Sequence, residues 1–285
     1  MKYAVIIPVF NEEHALRSLL IALKERLQSM PATEIIVVDD GSTDQSGTIA
    51  SSVEGVRVIR HDINRGYGAA IKTGMLTSST DLILIIDADG TYPIDRIPAL
   101  LKDADSHDMV VGARTGDRVY HSLLRRMAKW PINRLANYLV NVSIPDLNSG
   151  LRVFRKDLAC KYLRILPNGF SFTTNITLAF LSDGYRVKYI PINYEKRAGR
   201  SKVRPFHDAV NYFTLVVRIM LYYNPLKVFG PIAVLLFVCS VASLIYDVVI
   251  LRNLTEKSLI LFLGFIQISL IGFLADLINK RGSYT

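Results

Sequence analysis

Cysteine is scarce: the 285 residues include only Cys160 and Cys239, too few and too scattered for a disulfide framework. Internal repeats and low-complexity stretches are absent. Met1 to Pro8 holds a short apolar run that passes straight into a polar motif. It lacks the pattern of a secretory signal, so the polar part of the chain is expected in the cytoplasm. Charge is missing from Val228 to Tyr246, and after Asp247 the apolar run continues to Leu251. A second uncharged run covers Ser258 to Ala275. About 20 such residues make a helix long enough to cross a hydrocarbon core of roughly 30 Å. Spans are therefore predicted at about 228–251 and 258–279, joined through Arg252 to Lys257 into a hairpin with both ends on one side. Buried core helices are the competing reading, but runs this long and unpatterned favour a membrane. Lys227, Lys280 and Arg281 flank the hairpin ends, while Arg252 and Lys257 lie in its turn, so the positive-inside bias is slight.

Acidic residues number 25 against 34 Lys and Arg, a net charge of +9. The surplus does not point to nucleic acid. It gathers at Arg125, Arg126, Lys129 and Arg134, and again from Lys196 to Arg204, beside apolar and aromatic segments. That placement suits an anionic membrane surface or a phosphate ligand.

What is present before residue 115 is an alternation of strand and helix. Tyr3 to Val9, Glu34 to Asp39, Val56 to Arg60, Asp81 to Ile86 and Asp108 to Gly112 read as strands. Between them lie a helix with Ala15, Leu16, Leu19, Leu20, Leu23 and Leu27 on one face, capped by Asn11, and helices near Asp44 to Ser52, Gly66 to Ser78 and Ile94 to Asp103. The expected fold class is α/β, with a mainly parallel sheet covered on both faces and ligands bound beyond the carboxyl ends of the strands. His121 to Ser143 and Pro205 to Tyr223 read as amphipathic helices in a headgroup region. The expected organisation is a cytoplasmic domain over 1–204, an interfacial helix over 205–224 and a membrane hairpin over 225–285.

Three acidic turns fall at the predicted strand ends. Asp87 and Asp89, one residue apart, can place oxygens around Mg²⁺ or Mn²⁺, which would bridge a diphosphate. An ordinary solvated turn would look the same. Asp39-Asp40-Gly41-Ser42-Thr43-Asp44 lacks the spacing and terminal glutamate of a calcium loop. Its aspartates could accept from a nucleobase or ribose, or the turn could simply cap a helix through Ser42, Thr43 or Asp44. Gly66-Tyr67-Gly68-Ala69-Ala70-Ile71 has no third glycine and follows the wrong strand for a dinucleotide fingerprint. Its glycines would let Arg65 and the backbone approach a nucleotide.

Ile7-Pro8-Val9-Phe10-Asn11-Glu12-Glu13, Val38-Asp39-Asp40-Gly41-Ser42-Thr43-Asp44, Asn64-Arg65-Gly66-x-Gly68 and Asp87-Ala88-Asp89-Gly90, in this order, resemble family 2 glycosyltransferases of the GT-A fold. The resemblance implies that Pro8, Glu12, Asp39 and Asp40 line the nucleoside pocket, with Asn11, Arg65, Gly66, Lys72 and Ala88 also on the donor side. It implies that Asp87 and Asp89 hold the metal against the diphosphate. Asp146-x-x-Ser149-Gly150-x-Arg152, then Ile190-Pro191-Ile192 with Arg197-x-Gly199-x-Ser201-Lys202, resemble the polyprenyl-phosphate glycosyltransferases, the dolichol-phosphate mannose synthase group. Gly90-Thr91-Tyr92-Pro93 departs from the Leu-Gln-His-Pro frequent among mannose synthases, which favours a UDP-sugar over GDP-mannose.

A phosphate monoester acceptor is largely dianionic and needs no strong base. The site must instead hold two anions together, for which Arg114, Arg152, Arg197 and Lys202 are the candidate cations, with Ser149 and Ser201 beside them. Each of these bases taken singly could equally be a surface ion pair. Asp146 is either a base or, preferably, the partner that orients an arginine. The expected catalytic set is Asp89, Asp146, Arg152 and Arg197, and the family implies inversion at the anomeric carbon. A processive polysaccharide synthase is set aside because its Gln-x-x-Arg-Trp motif is missing around Trp130. A silent nucleotide-sugar-binding scaffold is the rival from another class, disfavoured by retention of Asp87 and Asp89. Gly264 and Gly272 would suit packing of the hairpin against its own copies in a homo-oligomer.

Overall fold

The structure is a computed structural model that describes residues 2–28, 33–116, 137–138, 142–194, 217, 221–222 and 224–282. The proposed basic helix at 121–143 and interfacial helix at 205–224 lie almost wholly outside these, as do Arg197, Ser201 and Lys202. The chain divides into two compact units, Met1–Ala209 and Val210–Thr285.

The first unit is built on a seven-stranded sheet in the order β3-β2-β1-β4-β6-β5-β7. Its strands are β1 (Tyr3–Val9), β2 (Thr33–Asp39), β3 (Val56–Arg60), β4 (Leu82–Ile85), β5 (Met109–Ala113), β6 (Arg152–Arg155) and β7 (Val187–Pro191). All of β1 is buried, as a central strand covered on both faces must be. β1 through β4 pair in parallel, and β5 pairs in parallel with β7. The exception is β6, which runs antiparallel between β4 and β5 and makes the sheet mixed. Its register sets Arg152 beside Ile85 and Val111, directly below the end of β4.

Helices α1 (Glu13–Leu27), α2 (Ser46–Ser51), α3 (Tyr67–Thr77) and α4 (Ile97–Ala104) connect the strands as the alternation predicts. Leu16, Leu19, Leu20, Leu23 and Leu27 bury the inner face of α1. In α3 the helix presses close on the sheet: a β-carbon on Gly74 would lie 2.7 Å from Ile6 Cγ2. Two helices went unforeseen, the short α5 (Lys156–Cys160) and α6 (Phe172–Ser182), which is buried from Phe172 to Phe180 although Thr173, Thr174, Asn175 and Thr177 lie in that stretch.

The second unit is a hairpin of α7 (Leu226–Tyr246), extended by a π-helical turn Asp247–Leu251, and α8 (Glu256–Gly282). Leu226–Leu251 and Glu256–Ile278 are both long and apolar enough to cross a membrane, and only 11% of each hydrophobic window is buried among the described residues, unlike a core helix. Asp247 organises the turn: Oδ2 accepts from the Thr255 backbone N–H and hydroxyl and from the Ser258 hydroxyl. Within the hairpin Gly272 faces Phe229 and Gly264 faces Leu236.

Candidate active site

The carboxyl ends of β1, β2 and β4 carry the three acidic turns. The first two are sewn together by reciprocal bonds. Asn11, at φ 56°, does not cap α1; its Oδ1 accepts from Thr43 N–H at 2.9 Å. The caps are crossed instead. Asp44 Oδ2 accepts from Glu13 N–H at 3.2 Å, Ser46 Oγ accepts from Glu12 N–H at 2.9 Å, and Glu13 Oε2 accepts from Gln45 N–H at 3.0 Å. Charge and backbone donors at the two helix starts therefore satisfy one another.

Asp39 and Asp40 are buried and turn different ways. Asp39 Oδ1 accepts from Ser42 N–H at 2.9 Å, while Oδ2 has no hydrogen-bond partner and lies 3.4 Å from Arg60 Nε. It lines a cleft with Gly47, Thr48, Ser51, Val58 and Arg60. Asp40 accepts from Arg65 N–H and Gly66 N–H at 2.9 and 2.8 Å and meets His61 Nδ1 at 2.7 Å. His61 reaches Thr73 Oγ1 through its other nitrogen at 2.9 Å. Asp40 thus holds the Asn64-Arg65-Gly66 turn, with Arg65 exposed at its surface and Pro8 buried in β1.

Several donor-side expectations are corrected here. Gly66 and Gly68 admit protein, not nucleotide: β-carbons there would fall 2.5 Å from Asn168 O and 2.2 Å from Pro167 O. Lys72 ties down the same loop, donating to Leu166 O and, at 2.9 Å, to Asn168 Oδ1. Burial lowers the Lys72 pKa from its usual value.

Asp87 and Asp89 follow β4, with the buried Ala88 between them. Tyr67 donates its hydroxyl to Asp87 Oδ1 at 2.7 Å, and Thr91 donates its hydroxyl to Asp89 Oδ1 at 2.6 Å. Burial, then the Asp89 charge, raises the Asp87 pKa to about 6 despite the opposing Tyr67 bond and the Arg114 and Arg152 charges. Burial and Asp87 also push the Tyr67 pKa up, so the phenol remains a neutral donor. On its open side the Asp87 carboxylate lies against Gly150, where a β-carbon would sit 2.3 Å from Oδ2. Gly150 N–H in turn donates to Tyr92 Oη at 2.7 Å.

The arginines below the rim are not free forks. Arg114 makes a two-point pair with Asp146, Nε to Oδ2 at 2.7 Å and one Nη to Oδ1 at 2.8 Å, and stacks 5.2 Å from the Tyr194 ring centre. Burial pushes the Asp146 pKa up, but the Arg114 bonds and charge more than reverse this, and the net shift is downward. Such a carboxylate orients an arginine and is a poor base. Arg152 is fully buried, donating to Thr173 O and Thr177 Oγ1 at 2.8 Å and to Ser149 O. Ser149 is buried too and donates to Gly112 O at 2.5 Å. Neither is placed to touch an acceptor phosphate. Arg152 instead sets a fixed positive charge beneath Asp87.

The donor set fits a hard divalent cation. Two oxygen ligands, one with its proton affinity raised by burial and then by its neighbour's charge, gain most from a bound positive ion. Among the described residues no third acidic, His or Cys side chain joins them, which leaves room for phosphate oxygens and water. Tyr67, Tyr92 and Gly150 belong to this site too: each stands inside a motif of the sequence, but none was a candidate site residue. Phe170, stacked on Tyr67 with ring centres 5.6 Å apart, was invisible before the fold.

Comparison with known proteins agrees with this geometry. The family model of glycosyl transferase family 2 matches residues 4–163, and that of the GtrB C-terminal hairpin matches residues 224–280. The dolichyl-phosphate hexose transferase of Haloferax volcanii is 31% identical over 220 residues, covering 76% of this chain and 93% of that protein. The undecaprenyl-phosphate mannosyltransferase of Micrococcus luteus is 28% identical, covering 71% and 88% respectively. Among solved structures, glucosyl-3-phosphoglycerate synthase of Mycobacterium tuberculosis with Mn²⁺, UDP-glucose and phosphoglyceric acid superposes with a TM-score of 0.60 at 19% identity, over 76% of this chain and 79% of that one. That likeness shows the shared fold.

Proposed function

The chain belongs to glycosyl transferase family 2, and on that premise we propose that it moves a sugar from a UDP-sugar to a polyprenyl phosphate, inverting the anomeric carbon. It is a glycosyltransferase of the polyprenyl-phosphate sugar transferase group with a membrane-associating hairpin. The single observation that carries the reading is the packing of Gly150 on Asp87. It joins the Asp146 to Arg152 segment, which resembles that of lipid-phosphate enzymes, to the carboxylates suited to a sugar diphosphate.

Asp87 and Asp89 are the residues that would hold Mg²⁺ or Mn²⁺. The ion supplies neutralisation of the departing diphosphate. Tyr67 and Gly150 fix where Asp87 can point, and Arg114 and Arg152 add a permanent positive field beneath the two anions. Asp39, Asp40, Pro8, Asn11, Glu12 and Arg65 form the nucleoside side, Asp40 by shaping the turn that presents Arg65. Arg197, Ser201 and Lys202 are assigned to the acceptor phosphate. No base is required, in keeping with the commitment of Asp146 to Arg114.

A UDP-sugar is supported by Gly90-Thr91-Tyr92-Pro93 and by the UDP-glucose carried by the structurally similar mycobacterial synthase. GDP-mannose is the second reading, favoured by the mannosyltransferase likeness. We place the catalytic domain, 1–204, on the cytoplasmic face. The test supplies radiolabelled UDP- and GDP-sugars with polyprenyl phosphate and Mn²⁺ or Mg²⁺. Label is expected in the lipid fraction from a UDP-sugar, lost on chelation. Label entering only from GDP-mannose would overturn the donor assignment, and none entering from any donor would overturn the function.

A further inference from the structure

Phe170 is 80% exposed, yet nothing about its loop is loose. Lys72 donates to Leu166 O and Asn168 Oδ1, and Ala69 N–H donates to Asn168 O at 3.1 Å. Pro167 and Asn168 are seated on Gly66 and Gly68 so closely that no β-carbon fits between. A firmly anchored loop therefore presents a large apolar ring to solvent, an arrangement that folding alone does not reward. The ring is near-parallel to Tyr67, at 20°, and Tyr67 is itself bonded to Asp87. A continuous aromatic surface thus leads outward from the reacting centre, beginning at a carboxylate.

We propose that Tyr67 and Phe170 form a ledge that receives the first isoprene unit of the acceptor. The inference rests on the polyprenyl-phosphate reading above. In such an acceptor the hydrocarbon is attached directly to the attacking phosphate. An apolar surface that binds it must then adjoin the site of attack and not lie only in the membrane-spanning hairpin. The Tyr67–Phe170 stack starts at Asp87, one of the two carboxylates assigned to the reaction site, and runs outward from it. A flat ring also suits the planar double bond and methyl of an isoprene unit.

The experiment compares wild type, F170S and F170L with two acceptors, farnesyl phosphate and methyl phosphate, using the sugar nucleotide that supports transfer. Because Phe170 is exposed, melting temperatures are expected to match. F170S is expected to raise KM for farnesyl phosphate roughly tenfold, as loss of one apolar contact face predicts, with F170L in between. KM for methyl phosphate and the Kd of UDP by calorimetry should stay the same. An unchanged KM for farnesyl phosphate would overturn the ledge. So would an equal rise for methyl phosphate, or weaker UDP binding, which would put the ring on the donor side. If wild type uses no prenyl phosphate at all, it is the parent reading that fails, whatever Phe170 does.

Discussion

Gly150 and Asp87 lie in such close apposition that the smallest possible side chain would overlap the carboxylate, with a β-carbon 2.3 Å from Oδ2. They are 63 positions apart and on different elements, and β6 brings them together by running antiparallel beside β4. The contact makes the Ser-Gly-x-Arg segment a wall of the acidic site.

Gly150→Ala is accordingly expected to lower kcat by at least about a hundredfold, because displacing Asp87 by an ångström misplaces the diphosphate. Steady-state kinetics beside a thermal melt checks this. Activity within twofold of wild type would show that the wall has slack.

Asp89→Ala should cost roughly a thousandfold in kcat/KM, since half of the cation's protein ligands disappear. Isothermal titration of Mn²⁺ in the presence of UDP provides the second readout. Binding should weaken together with turnover.

Tyr67→Phe keeps the ring stack with Phe170 and removes only the hydroxyl that fixes Asp87. Loss of such an outer partner is expected to weaken Mn²⁺ affinity or kcat by about 10- to 100-fold. Farnesyl phosphate KM should hardly move, which separates this role from that of the ledge.

Asp146→Asn breaks a partly buried two-point pair and is expected to lower the melting temperature by roughly 10 °C at neutral pH. The sign with pH follows from the depressed carboxyl pKa in the folded state. Stabilisation is present above the unfolded value of about 4 and is lost as pH falls through the folded one. Melts of the two proteins should begin to draw together as pH falls below about 4 and should coincide only below the lower, folded-state pKa.

Asp247→Ala removes the acceptor of three bonds that close the hairpin turn. A lower melting temperature is expected, as for the loss of other helix-start caps. Thermal melting of the detergent-solubilised protein measures it.

Local pattern carries far in this chain. The apolar run of Tyr3 to Val9, the leucine spacing of α1 and the uncharged runs after Val228 are all periodicities of neighbouring residues, and each became the element it predicts. α6 was hidden because it is buried on every side, Thr173, Thr174, Asn175 and Thr177 included, so its polar residues mark no outer face. β6 and β7 escaped although β6 is as long as β4 and β7 as long as β3 and β5, because they fall outside the regular alternation of strand and helix before residue 115.

Sequence by itself determined the composition of the rim: acidic turns must follow short apolar strands, and a parallel sheet brings strand ends to one edge. Only the tertiary structure decided which charged groups remain available there. Arg152 and Lys72 looked like ligands and proved to be bonded to protein carbonyls, while Tyr67 and Gly150, read only as parts of longer motifs, proved to touch Asp87. The physical reason is that a hydrogen bond depends on position within a few tenths of an ångström, and residues distant in the chain acquire that position only when the sheet is assembled.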